Sequence, residues 1–335
     1  MLNMKIIGTG TYLPELIVTN DMMSEIVETN DEWITSRTGI SERRLSSGEP
    51  TWHMAASAAG RALAASGLQA KQIDLIVATT ITPDYFFPSV SSIVQDELGA
   101  INAFCFDLNA ACTGFVYAID LAARYLNTSD YHNILVVSAE NVSKLTDYTD
   151  RSTCVLFGDG ASAAVLSVDG ADETASGLLA SHLGTKGEGG KYLVSQALGI
   201  SHPFVEDEQV WPDRFSHTKG HDLTMDGHEV YKFAVNAMTD SIKKAAERAG
   251  ISLDQLKYIV PHQANSRIID ASARRLKVKS EQMVSRVSSF GNTSSASIPI
   301  CLDELIRENK LERGDLIAIC GFGAGLTYGA AILRY

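Results

Sequence analysis

Short apolar runs rich in β-branched residues alternate along the whole chain with longer segments of helical spacing. Ile73–Thr80 (IDLIVATT), Asn133–Glu140 (NILVVSAE), Tyr258–His262 (YIVPH) and Asp315–Cys320 (DLIAIC) are of the first kind. They suit strands buried on both faces. Met54–Ser66 and Val235–Ala249 repeat apolar residues at helical spacing, and Gly67 and Gly250 follow as C-terminal stops. The opening, MLNMKIIGTG, reads as a strand and a glycine turn. The alternation predicts an α/β protein whose helices cover mostly parallel sheets.

The order of these pieces occurs twice. A helix ending at Gly67 leads into IDLIV, a helix SVSSIVQDEL, the run FCFDLNAACTGFVYAIDLAARYL, then NILVVSAE and FGDGASAAVL. A helix ending at Gly250 leads into LKYIV, a helix SRIIDASARRL, the run MVSRVSSFGNTSSASIPICLDELI, then DLIAICGFG and LTYGAAILRY. Val77 to Cys112 spans 35 positions and Val260 to Asn292 spans 32. Repeats of this length predict two duplicated βαβαβ-type halves, residues 1–170 and 171–335, rather than a solenoid. Asn292 is then expected at the place in the second half that Cys112 holds in the first, with the two turns facing each other across a pseudo-twofold seam.

Composition narrows the function. The 335 residues can bury a sizeable core, and a net charge of −12 argues against nucleic acid as a bulk partner. No apolar run approaches 18 residues, and the start lacks the parts of a secretory signal, so a cytoplasmic protein off the membrane is expected. The five cysteines, Cys105, Cys112, Cys154, Cys301 and Cys320, are scattered with no C-x-x-C pair. That favours reduced thiols over a disulfide framework or a zinc site.

One thiol stands out. Cys112 lies where an apolar strand, Ala103–Leu108, turns into a helical segment among Ala110, Ala111, Thr113 and Gly114. A helix N-terminus favours thiolate, and the small neighbours leave room for an acyl group. Cys105, Cys154 and Cys301 read as core residues. His262 follows a buried strand at VPHQANSRI, beyond the carboxyl end where α/β proteins bind ligands. Asn292 sits in FGNTSSASIP, before a Ser/Thr-rich helix start. Singly, each has an ordinary structural explanation; together, on matching strand ends, they point to one site. The tail GFGAGLTYG (Gly321–Gly329) can offer backbone N–H groups to an oxyanion, and no Lys-Ser/Thr follows it to make a phosphate loop.

The segments NAACTGF, VPHQANSRI, FGNTSSASIP and FGAGLTYGAA resemble motifs of the thiolase superfamily, most closely the β-ketoacyl-acyl-carrier-protein synthase III family. The likeness extends to NDEWITSRTGISERR, ATTITPDYFFPS and DRSTCVLFGDGASAAVL. The resemblance implies a duplicated thiolase-like fold in αβαβα layers and an acyltransferase that starts fatty-acid chains. Cys112 would take an acyl group from a CoA thioester, a substrate rather than a cofactor. A malonyl group on acyl carrier protein would then lose CO2 and attack it. His262 and Asn292 would hydrogen-bond the enolate oxygen. The N–H groups of Cys112 and Ala324 would hold the other oxyanion. Ala324 replaces the middle glycine of the usual three and serves only if it avoids positive φ. Phe322 would pack beside the decarboxylating group. Trp33, Arg37 and Arg151 would hold adenine, and Asn265 the pantetheine arm. Phe87 would reach across a homodimer to close the partner's acyl pocket. No metal or other cofactor is implied.

Between Arg267 and Arg286 six basic residues face only Asp270 and Glu281, a local reversal of sign on an acidic chain. Arg267, Arg274 and Arg275 there are candidates for docking the acidic carrier protein. The segment 184–224 is longer than family members usually carry. It holds His202-Pro203, Trp211-Pro212, His217 and His221, too few ligands for a metal site, and is expected to shape the pocket mouth or dimer edge. Three rivals stand beside the main reading. A related condensing enzyme of secondary metabolism would use another acyl donor or acceptor. A biosynthetic thiolase would need a second catalytic cysteine, for which Cys320 lies one position early. A non-catalytic acyl- or carrier-binding module would need none of the three polar residues.

Overall fold

The computed structural model describes residues 1–128, 130–168, 176–198 and 220–335. Two five-stranded sheets dominate it. The first runs in the order Lys5–Tyr12, Asp159–Ser167, Asn133–Asn141, Leu75–Thr79, Phe104–Leu108. The second runs Leu2–Asn3, Gly177–Thr185, Thr327–Arg334, Leu316–Gly323, Tyr258–Pro261. Leaving aside the short Leu2–Asn3 edge, both orders are first, fifth, fourth, second in chain order within each half. The third strand of the second half survives only as one parallel bridge, Ile259 to Met283.

The sheets are mixed rather than mostly parallel. Leu75–Thr79 pairs parallel with both neighbours, and Tyr258–Pro261 pairs parallel with Leu316–Gly323. The remaining pairings within these sheets are antiparallel. The reason is connection length: Gly323 and Thr327 pair directly across a tight turn, which can only reverse the chain.

Helices complete five layers. Thr51–Ser66 and Val90–Leu98 pack on the outer face of the first sheet, and Gly227–Ala249 and Ser266–Leu276 on that of the second. Gly114–Leu126 and Ser297–Arg307 lie between the sheets. There Phe115, Val116 and Ile119 meet Ile298, Leu302 and Leu305 in one core that also takes Val77 and Ile319 from the two sheets. Both halves therefore share their largest apolar interior.

Sequence signals account for the helix ends. Gly67 and Gly250 close their helices at φ 73° and 69°. Each helix starts earlier than its apolar periodicity, at Thr51 and Gly227. In the second, Asp226 accepts from the N–H groups of His228 and Glu229 and so fixes the start. The opening glycines do not make a turn. Gly8 and Gly10 lie within the strand Lys5–Tyr12, where a Cβ would stand 2.4 Å from the Ala62 backbone. They let the alanine-rich helix press its backbone against the sheet. Cys154 and Cys301 are buried as expected, whereas Cys105 is half-buried on the edge strand. Among the described residues no helix is long and apolar enough to cross a membrane.

Candidate active site

The nucleophile turn is built from residues with no bulk. After Phe104–Leu108 the chain makes a single 3-10 turn, Ala111–Thr113, and enters the helix Gly114–Leu126. Ala111 is left-handed at φ 47°, and its N–H donates to Asn109 Oδ1 at 3.3 Å. The second half repeats this turn. Ser294–Ala296 is a 3-10 turn before the helix Ser297–Arg307, Ser294 has φ 48°, and its N–H donates to Asn292 Oδ1 at 2.9 Å. This register corrects the expected equivalence. Asn292 matches Asn109, and the counterpart of Cys112 is Ser295, three residues further on. Counting gives the same register, since Val260 to Ser295 spans 35 positions, as Val77 to Cys112 does.

The two turns pack against each other and against the glycine-rich tail. A Cβ on Gly323 would stand 2.7 Å from Cys112 N, so only glycine lets this strand lie flat on the nucleophile turn. Ala324 does not have positive φ; that conformation falls on Gly325 at φ 128°, so the alanine leaves the N–H in place.

A cavity of about 700 Å³ opens here. Cys112, His262 and Asn292 line it together, with Phe322 and Ala324 beside them and Trp33, Arg37, Asn265 and Arg267 towards its mouth. Cys320 is absent from the lining; it is fully buried in its strand, and its carbonyl accepts from His262 N at 2.8 Å. The second thiol that a thiolase would need is therefore not in the cavity.

The electrostatics differ from the expected thiolate. Burial pushes the Cys112 thiol up to about 12, the Ser294 hydroxyl pulls the other way, and the nearby Glu140 carboxyl raises it further. Desolvation outweighs the helix end here. Burial likewise lowers His262 to about 3, so its ring is neutral at ordinary pH. Its Nδ1 lies 2.7 Å from Ser297 Oγ, and that hydroxyl already accepts from Gln263 N at 3.2 Å. A bond to the Ser294 backbone works against the lowering by burial. His262 is a neutral ring with one N–H to donate, held edge-on to Phe322, ring centroids 5.3 Å apart. Asn292 spends Oδ1 on Ser294 N, while its Nδ2 has no hydrogen-bond partner among the described residues. Two uncharged donors thus share the cavity with the sulfur.

The outer residues divide. Arg37 and Arg151 flank the Trp33 ring at 5.0 Å and 5.1 Å from its centroid. Arg151 does not line the cavity and donates to Glu28 O at 2.9 Å. Asn265 caps the helix Ser266–Leu276 through Arg267 N and donates from Nδ2 to Arg37 O at 3.3 Å. A further ligand contact must use its second Nδ2 hydrogen. Arg267, Arg274 and Arg275 are exposed on that helix, Arg267 over Tyr231 and Arg275 bonded to Asn236. Phe87 is 86% exposed with Tyr85 and Phe86, apart from the cavity of its own chain. From the long segment, Leu193 and Leu223 line the cavity wall, as does Met225 just beyond its end. His221 Nδ1 meets Gln196 O at 2.7 Å. His202, Pro203, Trp211, Pro212 and His217 lie outside the described residues. Among the described residues no three His, Cys, Asp or Glu side chains gather as metal ligands.

Comparison with known proteins fits this geometry. Two family models match, 3-oxoacyl-[acyl-carrier-protein (ACP)] synthase III over residues 106–187 and its C-terminal counterpart over 246–335. The β-ketoacyl-[acyl-carrier-protein] synthase III of Clostridium novyi (strain NT) is 47% identical over 335 residues, covering 100% of both chains. The chain belongs to the β-ketoacyl-acyl-carrier-protein synthase III family. The fold is accordingly thiolase-like. The crystal structure of 3-oxoacyl-[acyl-carrier-protein] synthase III from Aquifex aeolicus VF5 superposes with a TM-score of 0.89 at 41% identity, over 99% of this chain and 100% of that one. The priming β-ketosynthase of the R1128 polyketide pathway gives 0.88 at 35%, over 99% and 96%.

Several residues of the site escaped the sequence reading: Asn109, Glu140, Ser294 and Ser297. Glu140 carried a legible signal, an acid at the carboxyl end of an otherwise apolar strand, the same signal that marked His262.

Proposed function

We propose that the chain is an acyltransferase that joins an acyl-CoA to malonyl-acyl-carrier protein in a decarboxylative Claisen condensation, giving a 3-oxoacyl-carrier protein that begins a fatty acid. The observation that carries this reading is the gathering of Cys112, His262 and Asn292 in one cavity under a glycine-rich strand. Cys112 Sγ attacks the thioester carbon and keeps the acyl group as CoA leaves. The N–H groups of Cys112 and Ala324 hold the oxyanion of that step. The malonyl thioester then loses CO2, and its oxygen gains enolate charge beside His262 Nε2–H and Asn292 Nδ2. Neutral donors fixed where charge develops stabilise the transition state more than the ground state. Phe322 keeps the site apolar where the carboxylate departs.

CoA enters along Trp33, Arg37 and Arg151, with Asn265 on the arm. The short acyl group turns inward. The exposed aromatic tip at Phe87 supports a homodimer in which it closes the partner's cavity, and the reaction belongs to the cytoplasm, where CoA thioesters circulate. Incubation with a panel of acyl-CoAs, then with malonyl-carrier protein, followed by intact-mass analysis, tests the reading. Acyl adducts on the protein that clear only when malonyl-carrier protein is added are expected; no adduct with any acyl-CoA would favour a binding module. Adducts only with unusual acyl groups would move the chain towards a priming role in secondary metabolism.

The exposed Arg267, Arg274 and Arg275 give the carrier protein a basic landing face beside the cavity mouth. Charge reversal at Arg267 and Arg274 is expected to raise the KM for malonyl-carrier protein about tenfold, from the loss of steering. The KM for malonyl-CoA should change far less. Equal changes in the two KM values would remove these arginines from docking.

A further inference from the structure

Glu140 is a buried acid that the condensation as written does not use. It is the penultimate residue of the strand Asn133–Asn141, is fully buried, and has no basic side chain in contact among the described residues. Its Oε1 accepts from Ser294 Oγ at 3.0 Å and Ser295 Oγ at 2.6 Å, and its Oε2 from Ile81 N at 3.0 Å and Thr82 Oγ1 at 3.1 Å. An ionised carboxylate can only accept hydrogen bonds, and the six donors aimed at it, counting Thr80 Oγ1 and Ser295 N at 3.4 Å, fit that state. Removal from water pulls the other way and raises its affinity for a proton. The donors favour the charged form and burial the protonated one, which suits a group that takes up and returns a proton.

The link to the reaction is Ser294. Its Oγ lies 3.4 Å from Cys112 Sγ while its own O–H is directed to Glu140. Ser294 is one of four non-glycine residues with positive φ among the described residues, and the backbone bond to Asn292 Oδ1 fixes it there. The other titratable groups facing this cluster are few. His262 is neutral, and the Lys144–Asp84 pair lies beyond Thr82, whose carbonyl accepts from Lys144 at 3.3 Å.

We infer that Glu140, acting through the Ser294 hydroxyl, receives the Cys112 proton on acylation and keeps it while the acyl group stays on the enzyme. The inference rests on the acyl-Cys112 chemistry proposed above. As the Sγ–carbon bond forms, the S–H proton moves to Ser294 Oγ, and the serine O–H proton moves to Glu140 Oε1. The thioester C–S bond breaks, CoA leaves with the electron pair as thiolate, and it takes a proton from solvent at the mouth. In the condensation the enolate carbon bonds to the acyl carbon. Sγ leaves with its pair and recovers the proton along the same path. Glu140 is a positioning residue: it touches no substrate atom and acts through Ser294.

This bookkeeping has a readout that a merely structural carboxylate would not give. Acylation with acetyl-CoA alone, near neutral pH in weak buffer with an indicator dye, should take up about one proton per acyl group formed, the latter counted by intact mass. Glu140→Gln, which keeps the shape, and Ser294→Ala are each expected to acylate at least tenfold more slowly and with no uptake. Two variants guard against one that fails to fold. Acylation of the unaltered protein without proton uptake would overturn the inference, as would uptake persisting in both variants. Failure of the unaltered protein to acylate with any acyl-CoA would instead remove the proposed function.

Discussion

Cys112→Ala is expected to yield a folded protein that no acyl-CoA can label and whose condensation rate falls by a factor on the order of 10⁴ or more, because the covalent route is gone. The fold should tolerate the change. Cys112 opens onto the cavity rather than filling a core, its neighbours are small, and an alanine Cβ fits where the cysteine Cβ already sits. The measurement is intact mass after acyl-CoA, with thermal melting alongside. Label retained at another thiol would displace Cys112 from its role. Cys301 and Cys320 are poor substitutes, since each is fully buried and burial drives both thiols strongly upward. The same force acts on Cys112 and works against a standing thiolate, which favours a proton acceptor engaged during attack.

The second large effect separates the two half-reactions. His262→Ala and Asn292→Ala should each leave acylation within about threefold of the unaltered protein. Each should slow decarboxylative condensation by about 10²–10³-fold, the loss typical of one oxyanion donor. Single-turnover transfer from pre-acylated protein to malonyl-carrier protein reads the difference. If acylation alone collapses, the two donors serve the first step and the assignment is wrong. The pH dependence gives an independent check. His262 is held neutral by burial, with its pKa down to about 3. Its neutral form therefore persists above that value and gives way to the charged ring only as pH falls through it. The part of the condensation rate that depends on His262 is accordingly flat from about pH 5 to about pH 8, where an exposed histidine would titrate. An inflection near 6.5 that disappears in His262→Ala would show a charged ring instead.

What was legible in the sequence was what depends on local pattern. Strand and helix alternation, the glycine stops at Gly67 and Gly250, and the duplicated order all reflect period and punctuation, which a chain carries in itself. The three polar residues of the cavity were legible because each stands just past a strand or at a helix start. What failed depends on partners far away in the chain. Gly8 and Gly10 look like a turn until Ala62 is seen against them. Asn292 was matched to Cys112 on a near-equal spacing, 32 positions against 35, whereas the backbone bonds to Asn109 and Asn292 set the true register at Ser295. The helix end at Cys112 promised a thiolate, and the degree of enclosure reversed it, a quantity no spacing records. Sheet direction failed for a similar reason, since only the tight return at Gly323 to Thr327 makes the last strands antiparallel.

The paired turns at Ala111 and Ser294 carry one more consequence. A strained kink of the same kind is tolerated twice because each copy braces the other, and the copies have since divided the labour. One presents sulfur to the cavity; at the same spot the other presents an alcohol, Ser295, bonded to Glu140.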